Sequence, residues 1–167
     1  MQTPQWIKKL GGHAGELYVY AELSKRGIPN ALLPENFPHD DILVSNKDGT
    51  LSGYVQVKAC HPDRSTSFHL TYKEEGWQHE GPNKFCVLVW LGETTTHKPK
   101  PPRYWIALKR DVGKLCAGPL REQNKTSTNP ERRLSLDKVP PNWENQRSLF
   151  NPYKPTPPSV LESPSSA

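Results

Sequence analysis

Three polar residues, Asp41, Gln56 and Lys58, are spaced so that a hairpin brings them together. They bracket the segment His39 to Lys58, HDDILVSNKDGTLSGYVQVK. Within it, Ile42-Leu43-Val44 and Tyr54-Val55-Gln56-Val57 are β-rich runs, and Asp48-Gly49 between them is a strong hairpin signal. With those two residues as the turn, Lys47 lies opposite Thr50, and the register continues through Ser45 with Ser52 and Leu43 with Tyr54. Asp41 then faces Gln56, with Cβ atoms about 4.5 to 5.5 Å apart. Lys58 joins that face because side chains alternate along a strand, while Val55 and Val57 point the other way into a core. A carboxylate, an amide oxygen and an ammonium on one face are costly to bury without partners. The arrangement suits a bound cation.

Asp41 followed by Ile-Leu-Val, a hairpin and then Gln56-Val57-Lys58 resembles the PD-(D/E)xK nuclease superfamily. In that superfamily an Asp and an (E/D/Q)xK triplet form the active site. A helix bearing a Glu often precedes them, and here Glu16 lies in such a position, in HAGELYVYAELSKRG from His13 to Gly27. The layout is similar to Holliday-junction resolvases, to some restriction enzymes and to the Gln-containing homing endonucleases of the superfamily. The likeness covers residues 10 to 60 well and the rest loosely. Two departures stand out: Asp40 instead of Pro precedes Asp41, with Pro38 displaced upstream, and the triplet begins with Gln in place of an acid.

The resemblance implies a restriction-endonuclease-like core and a metal-dependent nuclease that hydrolyses phosphodiester bonds of nucleic acid, DNA ahead of RNA. The implied cofactor is Mg²⁺, with Mn²⁺ as a substitute. Mg²⁺ takes oxygen ligands at about 2.0 to 2.1 Å and keeps several waters. The Asp41 carboxylate, the Gln56 amide oxygen and the Val57 backbone carbonyl supply such ligands, with Glu16 reached directly or through water. Lys58 either orients the attacking water or pairs with the charge developing on the phosphate. Gln in place of an acid removes one negative charge, so Glu16 gains importance. The competing reading is a non-catalytic nuclease-fold module that binds nucleic acid or a protein partner, since a fold does not fix a function.

The remaining elements must position these groups. Residues 13 to 26 read as a helix, with Ala14, Leu17, Tyr18 and Ala21 at helical spacing and Gly27 as its stop. Val19, Tyr20 and Leu23 clothe a second side, with Glu16 on its edge. Prolines 29, 34 and 38 exclude a regular helix between Gly27 and Phe37. In the hairpin register Asp40 faces the side of Val57 and is expected at the strand mouth in water, a poorer ligand than Asp41. Phe68 to Tyr72 alternates as a short strand, and Lys73 to Gly81 reads as a loop or one helical turn. Lys84 to Leu91 is the most hydrophobic run, a central strand buried on both faces, with Arg103 to Leu108 as its neighbour. Arg110 to Ala117 reads as a short helix, Leu134 to Leu136 as an edge strand and Asn142 to Phe150 as a final helical turn. The order gives an α+β domain with a mixed central sheet flanked by helices. Trp77, Trp90, Trp105 and Trp143 are assigned to the core.

Composition bounds the remaining possibilities. The 167 residues, 34% of them hydrophobic, fit one domain, residues 1–151, with an appendage, 152–167, rich in Pro and Ser and expected to be disordered. No apolar run approaches the roughly 20 residues needed to span a bilayer, and no signal-peptide pattern is present, so a cytoplasmic location is expected. Cys60, Cys86 and Cys116 form no CxxC pair and read as reduced thiols. His61, His69 and His79 with Cys60 match no zinc spacing. Charge is uneven: residues 1 to 97 carry net −2 and residues 98 to 167 net +7. The basic residues of the second part, among them Lys98, Lys100, Arg103, Lys109, Arg110, Lys114, Arg121, Lys125, Arg132 and Arg133, are candidates for phosphate contact or an ordinary solvated surface. A homodimer is a possible assembly, because nucleases that cut both strands are often two-fold.

Overall fold

Alternation along the strands sorts the apolar residues into two layers, one on each side of a single sheet. The structure, a computed structural model, describes residues 4–61, 66–93, 97–123 and 131–155. Its elements are helix α1 (Gln5–Lys25), strands β1 (Asn30–Leu32), β2 (Ile42–Ser45), β3 (Ser52–Cys60), β4 (Ser67–Thr71), β5 (Lys84–Trp90) and β6 (Arg103–Leu108), helices α2 (Lys109–Ala117) and α3 (Pro119–Gln123), and strand β7 (Glu131–Ser135). Short 3₁₀ segments cover Tyr72–His79, Leu136–Lys138, Pro141–Trp143 and Arg147–Tyr153. Five strands form a sheet in the order β1-β2-β3-β5-β6, and β4 and β7 form a separate two-stranded ribbon. Only β3 and β5 run parallel in the main sheet, which makes it mixed. The α+β class expected from the sequence is the class observed.

The hairpin register is also the expected one. Ile42 pairs with Val55, Leu43 with Tyr54, Val44 with Gly53 and Ser45 with Ser52. The turn is wider than two residues, however. Asn46 donates its backbone N–H to Leu51 at 3.0 Å, and its side chain holds Thr50 and the Leu51 N–H. Lys47 to Thr50 therefore form the loop, with Gly49 in the left-handed region at φ 69 that its lack of a Cβ permits.

One layer consists of Ile42, Val44, Val55, Val57, Phe85, Val87, Val89 and Ile106 under α1 and the Phe150–Tyr153 end. The other is built on Cys86, Leu88, Trp90, Trp105 and Ala107, covered by the β4–β7 ribbon, Trp77 and α2. All four tryptophans assigned to the core are buried, and Cys60, Cys86 and Cys116 are buried free thiols. Helix α1 lies close on β3 because Gly15 has no side chain: a Cβ there would sit 2.5 Å from the Ala59 Cβ. The helix begins eight residues earlier than periodicity indicated, since its first turns are exposed at Trp6 and Leu10 and show no buried stripe.

Three further elements differ from expectation for local reasons. Tyr72–His79 is a regular 3₁₀ segment, started by a capping box in which the Thr71 hydroxyl and the Glu74 side chain cap each other's backbone N–H groups. Strand β7 pairs with β4 and not with the main sheet. The last 3₁₀ segment runs to Tyr153, whose buried ring packs on Phe85 and Phe150, so ordered structure passes the boundary at residue 151. Most of the tail, residues 156–167, lies outside the described residues. Among the described residues of the chain, no helix is long and apolar enough to cross a membrane.

Candidate metal site at the end of the hairpin

Strand β2 begins at Ile42, opposite Val55, while β3 continues to Cys60, leaving the β2-facing edge of β3 beyond Val55 without a partner strand. The Asp41 carboxylate fills that gap. Its Oδ2 accepts the Val57 backbone N–H at 2.6 Å and the Gln56 side-chain Nε2 at 2.5 Å. Asp41 is fixed from behind as well, its own N–H donating to the Val55 carbonyl at 2.9 Å. The structure thus brings Asp41 and Gln56 into contact, but with a change of role. Gln56 turns its nitrogen toward Asp41, so the amide acts as a donor that steadies the carboxylate, and its oxygen is not placed beside Asp41 as a fellow ligand.

Glu16 reaches the same place from α1, on the Val57 side of β3. It lines, with Asp41, Asp40, His13, Lys9, Gly12 and the loop Leu32–Glu35, an open cleft of about 510 Å³. His13 stands 3.7 Å from the Glu16 carboxylate. Burial, together with the charges of Glu16 and Asp40, pushes the Asp41 carboxyl up to about 6, against the Val57 N–H and the Lys58 ammonium, which pull it down. Asp41 makes no ion pair among the described residues, and Glu16 lines the same open cleft.

Lys58 is two residues along β3 from Gln56, on the opposite side of the sheet from α1. Its Nζ lies 2.7 Å from Glu74 Oε1 and 5.6 Å from the centre of the Trp77 ring. Glu74 is itself held at its other oxygen by the Thr71 N–H and hydroxyl, both at 2.6 Å. Burial pushes the Glu74 carboxyl up, but the Lys58 ammonium and the Thr71 hydrogen bonds outweigh it and keep it below its usual range. Glu74 was not among the residues singled out from the sequence. The pattern Thr71-x-x-Glu74 was visible as a capping box, yet nothing local says that its carboxylate meets Lys58.

Asp40 is placed differently from the expectation. It is not in water at the strand mouth and not on the Val57 side. His39 adopts a left-handed backbone, φ 71, and the chain enters the strand with the Asp40 carboxylate turned toward Lys84 and Lys109, each 2.7 Å away. These ammonium groups lie over the rings of Tyr54 and Trp77 respectively, which fixes Asp40 on the Lys58 side. Two buried or half-buried cations stabilise the carboxylate that water was expected to solvate.

The basic C-terminal part is largely engaged within the fold. Lys109 is fully buried, and Lys100, Arg103, Lys114, Arg132 and Arg133 pair with Glu93, Glu144, Asp111, Glu75 and Glu131. Lys125 lies outside the described residues. The burial of Lys109 removes it from phosphate contact, whereas Arg110 and Arg121 are exposed.

Asp41 and Glu16 are two of the carboxylates that line the cleft. Among the described residues no three of His, Cys, Asp and Glu converge on one point. Mg²⁺ needs only one or two carboxylates beside water, and Asp41 with Glu16 supplies two. The Val57 carbonyl lies on the same unpaired edge, its approach by Gln56 Nε2 being a long 3.5 Å.

No protein-family model matches this sequence. No curated protein matches it either. Among solved structures, the chain is similar to a bacterial homing endonuclease, I-Ssp6803I, at 14% sequence identity and a TM-score of 0.46, over 85% of this chain and 90% of that one.

Proposed function

We propose that this chain is a metal-dependent nuclease of the PD-(D/E)xK type, with a restriction-endonuclease-like core, that hydrolyses phosphodiester bonds in nucleic acid, DNA ahead of RNA. The observation that carries the reading is Asp41: a half-buried carboxylate pinned by Val57 and Gln56, lining an open cleft with Glu16, and in no ion pair among the described residues. Asp41 and Glu16 would hold Mg²⁺ or Mn²⁺, with the Val57 carbonyl as a neutral ligand. When bound, the cation supplies a Lewis acid that lowers the pKa of water and offsets charge on the phosphate.

The chain's own residues do the rest. Gln56 and the Val57 N–H both donate to Asp41 Oδ2, which leaves Oδ1 as the oxygen for the cation. Lys58 has three N–H groups; one is engaged by Glu74, and the remaining donors are available to a non-bridging phosphate oxygen or to the attacking water. Neither role requires Lys58 to bind the metal.

The test is incubation of the purified protein with plasmid, single-stranded and branched DNA and with RNA, in Mg²⁺, Mn²⁺ or EDTA, beside Asp41→Ala and Lys58→Ala. Cleavage that needs the metal and is lost in both variants, while nucleic-acid binding persists in Lys58→Ala, is the expected result. The alternative of a binding module that does not cut draws on the Glu74 contact, which neutralises Lys58 in the free protein. Nucleic-acid binding without cleavage under either metal would establish it.

A further inference from the structure

Lys58 and Asp41 lie on either side of Gln56, and the structure keeps them apart. Asp41 touches Gln56 at 2.5 Å, and Lys58 projects from the same side of β3 as Gln56, two residues on. Its charge is felt at Asp41. A lysine stem has four carbons and turns freely, and the Asp41 carboxylate has no ion pair among the described residues. Left alone, the two would form one. An ammonium seated on Asp41 would repel a divalent cation and occupy its lone pair.

Glu74 holds the ammonium instead. Its side chain is only 7% exposed, one oxygen lies 2.7 Å from Lys58 Nζ, and the other is fixed by Thr71. The segment that carries it packs closely against α2: a Cβ on Gly113 would fall 2.2 Å from the Gln78 nitrogen and 2.7 Å from the Trp77 carbonyl carbon, so the two backbones are in contact. The Trp77 ring covers the other side of the ammonium. Building on the cation site above, we propose that Glu74 is a positioning residue for it: by tethering the Lys58 ammonium on the Trp77 side of β3, Glu74 keeps Asp41 free to take a divalent cation.

A plain structural role for Glu74, as half of the capping box with Thr71, makes a different prediction. Gln serves in a capping box as well as Glu does, so Glu74→Gln retains the cap and loses only the tether. Mn²⁺ titration by calorimetry and thermal melts of the full chain separate the two. In Glu74→Gln the melting temperature should stay near that of wild type while Mn²⁺ affinity falls about tenfold, the scale of residues that orient metal ligands. Lys58→Ala should bind Mn²⁺ as tightly as wild type. The double variant Glu74→Gln/Lys58→Ala should recover that affinity, because no ammonium is left to collapse on Asp41. Thr71→Ala should lower the melting temperature and leave Mn²⁺ affinity unchanged.

Wild-type Mn²⁺ affinity in Glu74→Gln overturns the positioning role and leaves the cation site standing. Weak binding that persists in the double variant, or an equal loss in Thr71→Ala, overturns it in favour of the capping box. A wild-type chain that binds no Mn²⁺ overturns both this role and the proposed function.

Discussion

Lys109 Nζ and Asp40 Oδ1 lie 2.7 Å apart, with 0% and 1% of their side chains exposed. The same ammonium donates to the His39 carbonyl at 2.6 Å, and Lys84 reaches the other Asp40 oxygen. This buried pair anchors the strand mouth immediately before Asp41, tying the first strand of the hairpin to the start of α2. Removing one partner leaves the other charged and desolvated, which costs about 3 to 5 kcal/mol. Lys109→Met should therefore lower stability by about 3 kcal/mol, Lys84 still serving Asp40. Denaturant unfolding measures it, and an unchanged midpoint would show that the pair contributes nothing.

Asp41 should show a conflict between stability and function. Its carboxyl titrates near 6 in the fold against an ordinary 3.8, so the folded state binds the extra proton between those values. Stability contributed by the protonated form is present below about pH 4 and is lost as pH rises through 6. Asp41→Asn keeps the Val57 hydrogen bond and has no charge to desolvate. Without metal it should match wild type at pH 4 and exceed it by about 1 kcal/mol at pH 7.5, part of the full shift being screened by water. Cleavage and metal binding should vanish. An Asp41→Asn protein less stable than wild type at pH 7.5 would mean that the carboxylate is structural.

Gln56→Glu is expected to act in opposite directions with and without metal. It replaces an amide that donates to Asp41 at 2.5 Å with a second acid. Two carboxylates that close repel each other and cannot both ionise readily. In EDTA at pH 7.5 the variant should melt lower than wild type, whereas saturating Mg²⁺ should raise it more than it raises wild type. Half-maximal cleavage should then need less Mg²⁺. Equal metal-induced shifts in the two proteins would place the cation elsewhere.

Gly15→Ala tests whether the seating of α1 matters to Glu16. The added methyl would lie 2.5 Å from the Ala59 Cβ and 3.5 Å from Val57. Overpacking of this kind costs about 1 to 3 kcal/mol, offset in part by the better helix propensity of Ala. The helix must lift, and Glu16, the next residue, lifts with it. Mn²⁺ affinity should therefore fall even under conditions where the variant is fully folded; unchanged affinity would remove Glu16 from the site.

The hairpin was legible in the sequence because everything that specifies it is local. Alternation with period two fixes which side chains share a face, and the turn signal between the two β-rich runs fixes the register, so Asp41 opposite Gln56 followed from a stretch of 20 residues. The central strand Lys84–Trp90 was legible for the same reason, as a continuous apolar run. What the local pattern did not contain was the partner of each charge. Asp40 was assigned to water because the two cations that bury it come from positions 44 and 69 residues further along the chain, brought in by β5 and by the β6–α2 junction. Gln56 was assigned as an oxygen ligand, but the orientation of an amide is set by its neighbours, and the Asp41 carboxylate draws its nitrogen. Lys58 was readable as a strand residue beside a carboxylate, while Glu74 lay in a stretch read as a loop or one helical turn; only the crossover from β3 through β4 to β5 places one 2.7 Å from the other. Sequence determined which groups stand on the hairpin, since that depends on backbone geometry over a few residues. Tertiary structure decided which of those charges are already balanced, because the balancing groups lie far along the chain and long-range packing alone brings them within reach.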